Sequence, residues 1–228
     1  MKSLLWKDYR INRLLLIFGL VVCFGPWIIA IARNLLIEWR GGDAWWAPGF
    51  WAFVYGISLV LSLFTFAMLG GNAVAAERAD RSAEFLGYLP VSRGAVLASK
   101  SIIALGPTFL VWAVNLAALF IVAPSITHVP AADIVAKSDV PESLGLFAGL
   151  TVLLLGSGWF WSTVLNSHGL ATGMSFFTLA ALGMGFMGLM FGFGLETIIE
   201  DWFVSVCVAV GIGGYVAGCA YYLHRLEP

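Results

Sequence analysis

Charge is scarce in this sequence. Only 11% of its 228 residues are Asp, Glu, Lys or Arg, while 61% are hydrophobic, and mean hydropathy is +0.93. Soluble globular domains are roughly half apolar and about a quarter charged, so an ordinary water-soluble fold is excluded. Cysteine is also rare. Cys23, Cys207 and Cys219 all fall in apolar runs with no Cys-x-x-Cys spacing. That excludes a disulfide framework or a zinc knuckle and leaves them as small packing residues. There is no G-x-x-x-x-G-K-[ST], so the chain cannot cradle nucleotide phosphates in the Walker manner by itself. There is no H-E-x-x-H either. His128, His168 and His224 sit in connecting or end segments, which does not supply facing histidines for a buried haem.

What is present is length of apolar run. A spanning helix needs about 20 mostly apolar residues, and six segments qualify: 14–33, 50–75, 101–123, 144–165, 170–190 and 202–223. They occupy most of the chain, so residues 1–228 are read as one all-α integral membrane domain. The apolar run from Leu14 is longer than the h-region of about 7–15 residues in a cleaved signal. It is therefore read as a retained span despite the Ala30-Ile31-Ala32 pattern.

The few charges are distributed unevenly. Lys and Arg collect on the cytoplasmic side of membrane proteins. With the N-terminus inside, Lys2, Lys7, Arg10, Arg13, Arg78, Arg81, Arg93, Lys100 and Arg225 are inner, and only Arg33, Arg40 and Lys137 are outer. The sequence thus predicts an N-in, C-in topology. Trp39, Trp45, Trp46, Trp51 and Trp202 gather at the outer ends of their spans, as an interfacial belt does. The leading segment, MKSLLWKDYRINR, supports two readings. In one it is an interfacial helix, with Leu5, Trp6 and Tyr9 in the headgroup region and Arg10 and Arg13 on anionic lipid. In the other it is a basic flank that fixes topology.

Within the spans the conspicuous polar residues are Asn115, midway along the third, and Asn72, near the inner end of the second. Each suits helix-to-helix hydrogen bonding or a pathway lining. Sparse intramembrane charge speaks against a proton relay. Ser157, between Gly156 and Gly158, has no histidine at its depth to activate it, and packing is the stronger reading. The outer Glu196, Glu200 and Asp201 read as a solvated acidic loop, not a metal site. Four G-x-x-x-G pairs (145/149, 169/173, 188/192 and 214/218) allow close helix approach, within one bundle or between two chains. Pro26 and Pro107 predict bends in the first and third spans.

Between the second and third spans lies a charged island, Glu77 to Lys100. Seven of its residues are charged: Glu77, Arg78, Asp80, Arg81, Glu84, Arg93 and Lys100. Phe85, Leu86, Tyr88 and Leu89 are bunched among them. Helix formers and a Glu77/Arg81 i,i+4 pair predict a helix over 77–89. Pro90 ends it, and Ser92 is placed to cap a second helix that continues into the third span. An apolar cluster rimmed by charge reads as a partner-binding surface, the alternative being a solvated connector lying flat on the bilayer.

Glu77-Arg78, Ser82, Glu84-Phe85-Leu86, Leu89-Pro90-Val91-Ser92-Arg93 and Lys100 resemble the loop between the second and third spans of ABC-2 type permeases, the membrane subunits of a class of ABC exporters. The outline is similar too: a basic N-terminal helix, six spans and both ends inside. The outer region between the fifth and sixth spans, about Leu189–Asp201, is shorter than in many members.

The resemblance implies that this loop carries a coupling helix seated in a separate cytosolic ATP-binding subunit. Glu77, Arg81, Glu84, Phe85, Leu86, Tyr88, Leu89 and Arg93 would be its contacts. ATP and Mg would be bound by that partner, and no cofactor by this chain. It further implies a homodimer or a pair with a related permease, contact with membrane lipids and none with nucleic acid, and a bacterial or archaeal cytoplasmic membrane. The expected function is export of a lipid, peptide or hydrophobic drug, with no catalysis by the chain itself. The alternatives are a non-transporting anchor or assembly subunit of an ATPase complex and, through Ser157, an intramembrane enzyme.

Overall fold

The computed structural model describes residues 2–39, 48–79, 92–122, 140–193 and 196–225. These residues are almost entirely helical, with no strand among them, and six of the helices are long and apolar enough to cross a membrane. In chain order they are α1 (Lys2–Trp39), α2 (Pro48–Asn72), the short α3 (Ala75–Ala79), α4 (Arg93–Ala117), α5 (Val140–Val164), α6 (His168–Phe193) and α7 (Glu196–Arg225). A π-helical turn, Ala118–Val122, extends α4.

The expected boundary at Arg13 is absent. α1 runs unbroken from Lys2 to Trp39, a length of about 57 Å at 1.5 Å per residue. No Gly or Pro lies between Lys2 and Phe18 to interrupt it. Residues 2–13 therefore form the first turns of α1, continuous with the first span. At its other end the island behaves as its sequence predicts. Ser92 takes extended angles (φ −68°, ψ 140°), and its hydroxyl accepts the Ala95 N–H at 3.3 Å to cap α4. α4 then continues into the third span without a break.

α5 is the hub, packing against α2, α6 and α7, while α1 packs on α2 and α4. Backbone approach is closest where α5 crosses α7. A Cβ on Gly156 would collide with the backbone of Gly211, and one on Gly211 with that of Val152. Gly214 and Gly218 also face α5, so the 214/218 pair packs within the bundle. Small residues are what allow such contact where lipid removes the hydrophobic drive for helices to associate. Trp159 of α5 is wholly buried, its ring 5.0 Å from that of Tyr215.

Large apolar side chains cover the outside. Ile17, Phe18, Val21, Ile28 and Ile29 on α1 and Leu170, Phe177, Met184 and Met187 on α6 are all exposed. A water-soluble bundle does not present apolar surface on this scale.

Candidate functional site

The polar side chains of the interior concentrate in two places. The first lies in mid-span beside Pro26. Proline has no N–H to offer the carbonyl one turn back, and neighbours must satisfy what is freed. Pro26 frees the Val22 carbonyl, and the adjacent carbonyl, that of Cys23, accepts from the Ser58 hydroxyl at 2.5 Å. The same hydroxyl also lies 2.6 Å from Asn115 Oδ1, which accepts from Trp27 Nε1 at 2.9 Å. Asn115 returns its own amide N–H to the Val111 carbonyl at 2.9 Å. Asn115 is fully buried and ties α1, α2 and α4 together.

The second place is the end of the bundle where α1 begins. Here the structure brings together Lys7, Asp8 and Asn12 of α1, Asn72 of α2, Glu77 of α3, and Ser99 and Lys100 of α4. Lys100 Nζ lies 2.9 Å from Glu77 Oε2, 3.0 Å from the Ala73 carbonyl and 3.8 Å from Asp8 Oδ1. Lys7 donates to the other Glu77 oxygen, and Ser99 donates to Asp8 Oδ2. Asn72 donates to Asn12 Oδ1 at 2.6 Å. Asp8, Glu77 and Lys100 are only 3%, 3% and 4% exposed. Two ammonium and two carboxylate groups balance, which is the condition under which buried charge is tolerated.

Burial by itself pushes the Glu77 carboxyl upward. The charge of Lys100, with hydrogen bonds from Lys7 and Lys100, overcomes that and brings it below its ordinary 4.5. For Arg78, burial pulls the guanidinium below its ordinary value against an opposing influence of Tyr221 and Tyr222.

The charged residues that flank 80–91 reach further still. Arg78 donates to the Thr163 carbonyl in the last turn of α5 and, at 3.3 Å, to Asn166 Oδ1. Arg93 donates to the Leu223 carbonyl near the end of α7 at 3.1 Å. A cation at a helix C-terminus satisfies otherwise unpaired carbonyls and complements the dipole. Glu77, Arg78, Arg93 and Lys100 therefore reach α1, α5 and α7, with Lys100 also on the Ala73 carbonyl just past the end of α2.

Of the residues expected to dock a partner, Arg81, Glu84, Phe85, Leu86, Tyr88 and Leu89 lie outside the described residues. Glu77 and Arg93 are inside them, with Glu77 turned into the buried cluster and Arg93 on the end of α7. Trp6, Tyr9, Arg10 and Arg13 are exposed and Leu5 is half-buried, whereas the face of α1 that packs inward carries Leu4, Asp8, Asn12 and Leu16. Ser157 is buried, and its hydroxyl donates to the Leu153 carbonyl one turn back at 2.7 Å. The side chains of Glu196, Glu200 and Asp201 lie outside those described.

Sequence reading missed Asp8, Ser99 and Lys7 as a site with Lys100. The available signal was the placing of Asp8 and Lys100 at the edges of long apolar runs, where an ionisable group needs a partner. No protein-family model matches the chain, and neither curated proteins nor solved structures show significant similarity to it.

Proposed function

We propose that this chain is the membrane-spanning permease subunit of an ATP-driven exporter of the ABC-2 type. In this reading both termini and the 80–91 segment face the cytoplasm, and a separate subunit binds and hydrolyses ATP with Mg. Two permeases enclose the pathway, and the cargo is hydrophobic or amphipathic. The multi-pass chain then lies in a bacterial or archaeal cytoplasmic membrane.

One observation carries the reading. The residues on either side of 80–91 are fixed to one another and to three further membrane helices, α1, α5 and α7, through ion pairs and helix-end contacts. A segment anchored in this way passes a displacement to α1, α5 and α7 together. A simple solvated connector has no use for two buried carboxylates and two lysines, whose desolvation is expensive unless the geometry is fixed. The apolar cluster Phe85, Leu86, Tyr88 and Leu89 is then the part that a soluble ATPase grips, with Glu84 and Arg81 orienting it.

Replacing Phe85 and Leu86 together with aspartate tests this. Membrane insertion is expected to persist, while co-purification of a nucleotide-binding subunit is lost. Undiminished co-purification removes the 80–91 segment as the docking site.

A further inference from the structure

On the outer surface of the same end lies a feature that ATPase coupling does not use. α1 and α6 both pack on α2, and between them runs a groove of about 330 Å³. That volume is at the lower end of the range for ligand pockets, roughly 300–1,000 Å³. Its lining changes character along its length. Leu14, Leu15 and Met68 line the deeper part, inside the apolar spans, whereas Asn72 and His168 lie at the charged end beside Ile11 and Ala76, with Thr172 one turn further in. The groove is therefore amphipathic in the direction of the membrane normal.

Charge is available at its polar end. Arg10 lies one turn before Leu14 on the adjoining face of α1. Arg10, just outside the groove, and His168, in its lining, are both exposed, and neither side chain has a hydrogen-bond or ion-pair partner among the described residues. The neighbouring carboxylate Glu77 is turned inward and held by two lysines, so it does not oppose an anion here.

We propose that this groove holds one anionic phospholipid of the adjacent leaflet. Its acyl chain lies along Leu14, Leu15 and Met68, and its phosphate is met by Arg10 and His168, the Thr172 hydroxyl being given to the His168 carbonyl at 2.9 Å. The apolar slot opens where hydrocarbon is the solvent, and the donors sit where headgroups begin, so a tail and a phosphate are satisfied together. A zwitterionic lipid offers the same tail but brings a positive group towards Arg10. A soluble phosphate leaves the slot unfilled. Retention of the lipid requires no partner subunit, so the site stands independently of the permease reading.

The test is native mass spectrometry of the chain in mild detergent, titrated separately with phosphatidylglycerol, phosphatidylcholine and inorganic phosphate. One phosphatidylglycerol is expected to stay bound per chain, at about five-fold lower lipid concentration than phosphatidylcholine, the ratio that one interfacial arginine supplies. The double variant Arg10→Gln, His168→Gln is expected to lose that preference and keep the weaker binding. Met68→Trp fills the slot and is expected to weaken binding of both lipids. Ala76→Phe narrows the same groove from α3 and repeats the test if Met68→Trp fails to fold by circular dichroism. Equal retention of the two lipids by the unmodified chain overturns the proposal. So does full retention by a folded slot-filling variant, or displacement of phosphatidylglycerol by millimolar inorganic phosphate.

Discussion

Lys100 is the residue on which most of the charged end depends. Among the described residues it is the one cation paired with both buried carboxylates, Asp8 and Glu77. Removing one partner from a buried ion pair typically destabilises by about 3–5 kcal/mol, because the remaining charge is left unpaired. Lys100→Met is expected to lower stability by about that amount in a detergent unfolding titration, and a loss below about 1 kcal/mol would show that the cluster is dispensable for folding.

The pH dependence has a definite sign. The Glu77 carboxyl is held below its ordinary 4.5, so its contribution is fully present above that value and is lost as pH falls through the lower, folded-state value. Glu77→Gln is expected to remove that acid-dependent component and flatten the stability profile below pH 4.5. An unchanged profile would place the acid sensitivity elsewhere. In mid-span, Asn115→Leu removes the acceptor for the Trp27 indole N–H. Such interhelical bonds contribute about 0.6–1.7 kcal/mol in membranes, and a loss in that range is expected by the same titration.

For the helices, how much was legible in the sequence depends on how local the cause is. The six spans follow from runs of about 20 apolar residues, and the start of α4 follows from Pro90 and Ser92, which act within a turn. Asn115 stood out as polar in an apolar run, although its partners Trp27 and Ser58, 88 and 57 residues away, did not. The pairing of Lys7 with Glu77 spans 70 residues, and that of Ser99 with Asp8 spans 91. No spacing rule reaches so far. The N-terminal turns show the difference well. Read alone, MKSLLWKDYRINR has an aromatic face suited to a membrane interface. In the bundle its polar residues Asp8 and Asn12 turn inward because Lys100 and Asn72 are there to meet them.

Glycine pairs show the same limit. Their spacing is equally compatible with packing inside one chain or between two, and only the bundle separates the cases. Gly156→Val places a side chain against the backbone of Gly211 and is expected to separate α5 from α7. A Cβ on Gly145, by contrast, meets no neighbouring atom within 4 Å. Gly145→Ala is therefore expected to be neutral or to stabilise by up to about 1 kcal/mol through helix propensity. Equal loss of folded protein in both variants would contradict the assigned crossing.

At the scale of the molecule, the bundle has one end where charge is buried and organised, and a broad outer surface where apolar side chains are exposed. Trp39 near the end of α1 and Trp202 near the start of α7 lie exposed at the opposite end, where an aromatic belt is placed by the N-in reading. The buried charges join the segment 80–91 to the membrane helices. The faces of α1 and α6 carry exposed apolar side chains that suit contact with lipid. Each feature is physically expensive in isolation and has a use in a subunit that receives force from outside the membrane and moves its helices in response.

The central claim is that a soluble ATPase works through this end of the bundle. Affinity purification of the chain from its native membrane in mild detergent, with identification of co-eluting proteins and an assay of ATP hydrolysis, tests it most directly. The account predicts a roughly equimolar partner carrying a Walker motif, with vanadate-sensitive turnover that disappears in the Phe85→Asp, Leu86→Asp variant. A chain that elutes alone and without ATPase activity under several gentle extractions would contradict it.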